Sequence, residues 1–206
     1  MPKSEKINET KYTAAMKYSA ETIRVLTGVQ YNTFFFGRKL IQLIISLILF
    51  AAGIKFSSST SGIIMLAAGC MLIVSLDYRP KMMAKQLCAQ YNGNYPTLSY
   101  CFSNKGVTTQ NVSTETPYSS FIRLIDSNNY LYIFVNQVLV YMVDKSSIEG
   151  ADGSEGFKKF LSEKTKCEWK KPFSLLTLNL TTIKELINTN SHKKGFTGER
   201  LGNRKH

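Results

Sequence analysis

Histidine is almost missing from this chain: only His192 and His206 occur, both in a basic tail, and His192 stands beside Lys193 and Lys194. A solvated tail imidazole is a poor base for a Ser–His or Cys–His pair, and no Ser, Cys or Lys sits in a recognisable nucleophile setting. Cysteines are few. Cys70, Cys88, Cys101 and Cys167 show neither metal-finger nor redox spacing and read as small buried side chains. The glycine-rich stretch 150–156 (GADGSEG) lacks the Lys and Ser/Thr of a phosphate cradle. Asp144, Glu149, Asp152 and Glu155 cluster in sequence without calcium-loop spacing, and read as loop acids plus a helix cap. These absences point away from an enzyme, and no catalytic residue, metal or cofactor is expected.

Charge is absent altogether from two runs, 40–54 (LIQLIISLILFAAGI) and 62–76 (GIIMLAAGCMLIVSL), where Gln42 is the most polar side chain. Both runs are apolar on every face, so neither leaves a polar stripe for water. Extension through Phe34, Phe35 and Phe36, and back through the serines before 62, brings the spans to about 33–54 and 58–77, near the roughly 20 residues a bilayer requires. No Ala-x-Ala site follows the first run, so no cleavage is expected. Arg38, Lys39, Arg79 and Lys81 flank the spans and are the expected membrane-interface anchors, their stems snorkelling to the headgroups. Basic residues crowd the outer ends of the pair, while the link carries only Lys55. The positive-inside rule then places both termini in the cytoplasm and the serine-rich link outside. Gly53, Gly62, Ala67, Ala68 and Gly69 would allow a homo-oligomer through the hairpin.

The net charge of +12 is uneven: residues 86–157 carry Lys105, Arg123 and Lys145 against six acids, and basic segments flank them. Basic flanks suit anionic inner-leaflet lipid. No nucleic acid is expected, because the aromatics are not interleaved with Lys and Arg.

Residues 12–31 have helical character, and Ser19 with Thr22 is an imperfect capping box. Asp77 and Arg79 could pair at the interface. Residues 81–91 continue the second helix, and Asn92-Gly93-Asn94 stops it. From Tyr95 the period becomes two, predicting about five antiparallel strands near 95–102, 107–112, 118–126, 130–135 and 138–143. Asp152, with Glu155 as reciprocal partner, is expected to cap a helix whose apolar face is Phe157, Phe160 and Leu161. Residues 173–180 suit a strand, 181–188 a helix, 174–188 alternatively an in-plane membrane helix, and 189–206 a disordered tail.

This order of parts resembles the YcxB-like family of bacterial membrane proteins. The resemblance is carried by residues 118–148 (YSSFIRLIDSNNYLYIFVNQVLVYMVDKSSI) and by 156–161 (GFKKFL). It implies a bacterial cell-membrane location and a pleckstrin-homology-like (PH-like) fold for the C-terminal domain. The expected fold is thus an α+β membrane protein: a two-helix transmembrane hairpin plus a cytoplasmic antiparallel PH-like β-domain capped by a C-terminal helix. The expected division is 1–32 as an interfacial segment, 33–91 as the hairpin with its extension, 92–170 as the β-domain and 171–206 as the tail. Five strands fall short of the seven of a PH-like fold, and 3–12 or 173–180 could supply the others. The expected function is a non-enzymatic, membrane-anchored interaction module whose partners are the bilayer and a protein at the inner leaflet. Lys105 and Arg123 are the candidate headgroup or partner contacts. The competing reading is a small oligomeric transporter or pore subunit, although the spans lack the charges that mark a pathway.

Overall fold

The computed structural model describes residues 10–110 and 112–172. Two long apolar helices and an antiparallel β-sheet domain make an α+β fold. The chain opens with a strand, β1 (Tyr12–Lys17), where helix was expected. Tyr12, Ala14 and Met16 point into the core, at 7%, 3% and 1% exposure, and the residues between them face outward. Two alanines in YTAAMK hide this period of two from a hydropathy reading. The strand shares Tyr12 with the 3–12 stretch, of which 3–9 falls outside the described residues. The segments 173–180, 174–188 and 189–206 fall outside the described residues.

Ser19 then starts α1 (Ala20–Lys55) with a complete capping box: Thr22 N–H donates to Ser19 Oγ at 3.2 Å, and Ser19 N–H donates to Thr22 Oγ1 at 2.7 Å. Threonine thus does the work of the usual Glu or Gln. The helix has 36 residues and is about 54 Å long. A turn returns the chain into α2 (Thr60–Val74), whose first N–H groups are capped by Ser59. One 3-10 turn, Ser75–Asp77, joins it to α3 (Tyr78–Tyr91). Pro80 explains that break, since it offers no N–H to the carbonyl of Leu76 and its ring crowds that carbonyl. Asn92 ends α3 in the left-handed region (φ 44°), followed by Gly93 (φ 84°). Gln42 Nε2 donates to Leu72 O (2.9 Å) and Ser75 Oγ (2.7 Å), and Ser46 Oγ donates to Gly69 O (2.8 Å). The polar groups of the apolar runs are thus satisfied between the helices.

The chain next forms β2 (Thr97–Phe102), β3 (Gly106–Thr109) and β4 (Val112–Pro117). A 3-10 turn, Tyr118–Ser120, leads to β5 (Arg123–Asp126), β6 (Tyr130–Phe134) and β7 (Val140–Asp144). The expected strand over 118–126 is therefore a turn plus a shorter strand. Two-residue bridges β8 (Glu149–Gly150) and β9 (Trp169–Lys170) bracket α4 (Gly153–Thr165). One sheet runs β4-β3-β2-β1-β8; the other runs β7-β6-β5-β9, with β9 parallel to β5. β1 pairs antiparallel with β2 from Tyr12↔Phe102 to Lys17↔Thr97, so the helices leave one sheet and return to the adjacent position in it. The sheet read over 92–170 thus takes in Tyr12–Lys17 as well.

Phe157, Phe160 and Leu161 of α4 are buried as expected, with Phe157 edge-on to Phe102 at 4.7 Å between centroids. Asp152 does not cap by its side chain: it stands at φ 61°, in the left-handed region, and makes no capping bond. Glu155 pairs instead with Lys158 (2.6 Å), which also reaches Asp126 (3.1 Å). Lys145 reaches the other oxygen of Asp126 at 2.6 Å. Burial pushes the Asp126 carboxyl up, but these two ammonium groups outweigh it and hold the acid below its ordinary value. Burial also pushes the hydroxyls of Tyr100, Tyr118 and Tyr132 up.

Candidate functional site

The domain end of α1 is built into the core. Leu26 and Val29 belong to the same buried cluster as Leu124, Tyr132 and Phe134, and Phe34 meets Phe134 edge-on at 5.1 Å. Gln30 Nε2 donates to Gln137 O at 2.5 Å. Farther along the same helix the side chains turn outward: Ile41 is 59% exposed and Ile48 61%, matched on α2 by Ile63 and Ile64. α1 and the arm that runs from α2 through the 3-10 turn into α3, Thr60–Tyr91, are each long and apolar enough to cross a membrane.

Between α1 and the α2–α3 arm runs a groove. On α1, Tyr31, Phe35, Arg38, Ile41 and Ile45 recur every three or four residues and so share one face. On the opposite wall Leu72, Ser75, Arg79, Met82 and Gln86 do the same, with Tyr78 between them. The middle section holds about 460 Å³ and is closed toward the domain by Gln137 and Val138, from the β6–β7 turn. The section beyond it, about 490 Å³, is lined by Ile41, Ile45 and Leu72, with Gln42 and Ser75 among them. Arg38, Tyr78 and Arg79 line both, so they mark the junction of the two sections. A third section of about 370 Å³ continues past Gln30 and Met83 to Tyr18 and Leu98. The β6–β7 turn is fixed by Asn136, whose Oδ1 accepts from Val138 N–H (2.8 Å) and Leu139 N–H (2.7 Å). Val138 is left 82% exposed at the groove's edge.

The anchors expected from sequence separate here. Arg38 and Arg79 are exposed and come together on the groove, with Arg38 lying over the Phe35 ring at 5.5 Å. Lys81 is exposed on α3. Lys39 is not a snorkelling anchor. Its side chain is 8% exposed, and its ammonium reaches Asn32 Oδ1 at 3.1 Å and Asp77 Oδ1 at 2.5 Å. Asp77 therefore pairs across the helices with Lys39, in place of the expected Arg79. Lys105 and Arg123 are not brought to one surface. Lys105 is exposed in the β2–β3 turn, whereas Arg123 donates to Thr33 O at 2.8 Å and lies over Phe34 at 5.4 Å, riveting β5 to α1. The groove's aromatic and Met residues were missed in the sequence. The signal was the spacing of Tyr31, Phe35 and Arg38, masked because this part of α1 is covered by the sheet on one side and α3 on another.

Among the described residues no three His, Cys, Asp or Glu side chains gather to hold a metal ion. Comparison with curated proteins and with solved structures returns no match. The model of the YcxB-like protein family matches residues 102–161, from the end of β2 into α4, and over that stretch it bears out the resemblance carried by 118–148 and 156–161.

Proposed function

We propose that the chain is a membrane-anchored, non-enzymatic interaction module, in which α1 and α2 cross the bilayer and the β-domain stands at its cytoplasmic face with both termini inside. The observation that carries this is the division of one helix into two environments. α1 is buried in the domain core at Leu26 and Val29, yet presents Ile41, Ile44, Ile45, Leu47 and Ile48 outward. Left in water, each such side chain would forgo about 1.5–3 kcal/mol of burial. Lipid removes that penalty. The internal hydrogen bonds of Gln42 and Ser46 are what a helix pair without water requires. The PH-like assignment is supported by four strands of four or more residues in one sheet, three in the other, and a helix packed on both. Such a domain offers sheet edges to a peptide, and anchoring raises its local concentration at the inner leaflet. The module reading is favoured over a transporter because Gly53, Gly62 and Gly69 serve the contact of α1 with α2 inside one hairpin.

The test is accessibility in intact cells. With the native cysteines replaced by serine, Ser58→Cys in the link should react with an impermeant maleimide from outside, and Lys105→Cys only after lysis. The protein should stay in the pellet after alkaline carbonate. Recovery in the wash, or a link reached only from inside, would refute the reading.

A further inference from the structure

We infer that the α1–α3 groove holds one anionic phospholipid, with its phosphate between Arg38 and Arg79 and an acyl chain against Ile41, Ile45 and Leu72. This rests on the membrane reading and adds to it a specific ligand site. Four observations converge on it. Arg38 and Arg79 line the same two cavity sections from opposite walls. Among the described residues neither has an acidic partner, while Lys39 nearby is already neutralised by Asp77. Guanidinium groups suit this role, because their planar fork matches phosphate oxygens in pairs and stays charged. On the span side of the two cations Ile41, Ile45 and Leu72 line the groove, and the polar Gln42 and Ser75 there already bond each other, so a bound anion is continued by a wall that suits a hydrocarbon chain. A soluble anion would use the arginines and leave that wall open. The section volume of about 490 Å³ is of the size that small amphiphilic ligands fill.

The experiment uses the full chain in neutral detergent, with native mass spectrometry after adding equal phosphatidylglycerol and phosphatidylcholine of the same acyl composition. One phosphatidylglycerol should be retained, preferred by about thirtyfold, or roughly fivefold per cation. Arg38→Gln with Arg79→Gln should abolish the preference, Arg38→Lys with Arg79→Lys should retain part of it because the charge stays while the fork is lost, and Lys81→Gln with Lys85→Gln should leave it unchanged. Ile45→Trp, which keeps both cations and fills the apolar section, should lower retention of both lipids in a species that still elutes as a single sharp peak. Should the double Gln variant fail to fold, the Lys and Trp variants decide the matter. Equal retention of the two lipids by the unaltered chain, retention unmoved by the double Gln or Trp changes, or displacement by millimolar glycerol phosphate overturns the site. A chain that remains in the carbonate pellet but shows no lipid preference refutes the site alone. A chain that is soluble without detergent refutes the anchor beneath it.

Discussion

Lys39 and Asp77 tie α1 to the α2–α3 junction with unequal burial: the lysine side chain is 8% exposed and the aspartate 59%. Removing the aspartate strands a buried ammonium with only Asn32 beside it, whereas removing the lysine leaves a carboxylate that water can solvate. Asp77→Ala should therefore cost about 2 kcal/mol and Lys39→Met less than about 1 kcal/mol. Unfolding of the two variants in the same detergent measures this, and equal losses would mean that the lysine is not held as described. At this scale the sequence was weakly informative. Arg38, Lys39, Arg79 and Lys81 look alike as cations at the ends of apolar runs. Which of them meets an acid depends on how α1 lies against α3, and that is a tertiary fact. Arg123 likewise sits on a strand like any exposed cation until α1 supplies Thr33 O and the Phe34 ring.

The elements show where close approach decides structure. A Cβ on Gly62 would stand within 1.9 Å of Phe56 O, backbone that cannot move aside without opening the turn between α1 and α2. A Cβ on Gly28 would meet nothing within 4 Å. Gly62→Ala should thus lower stability by about 2–3 kcal/mol, and Gly28→Ala should raise it by about 0.5–1 kcal/mol by restricting the unfolded chain. Thermal unfolding of the pair checks the contrast, and a neutral Gly62→Ala would contradict the tight return. The helices were legible because continuous apolar runs need no partner to be recognised, and Ser19 and Asn92 mark their ends by local chemistry. β1 was not legible, since alanines blur its alternation. β4 (VSTETP) was lost because its sequence carries no alternation of apolar residues. Asp152 failed as a cap because its backbone is left-handed, where a capping residue is extended, and its side chain makes no bond to the first turn of α4.

For the molecule as a whole, the decisive pairing joins β1 to β2 across residues 18–96, with Ala14 and Met16 contributing to the core. A fragment of 92–170 lacks β1 and leaves β2 and β8 without the strand between them. It should give a poorly dispersed amide spectrum and no cooperative transition, while 10–172 in detergent should give both. A well-folded 92–170 fragment would show β1 to be dispensable. The family-matched stretch begins at residue 102, after both β1 and the helices. A reading by local pattern therefore recovers the later strands and α4 but misses the strand that completes the sheet, because nothing in YTAAMK points to a partner so far downstream.

That arrangement also sets an order of assembly. Tyr12–Lys17 leaves the ribosome early, yet its mate, Thr97–Phe102, is made only after both apolar helices have been synthesised. The sheet consequently cannot close until the helical hairpin exists, and every finished domain certifies that the hairpin before it has already been made.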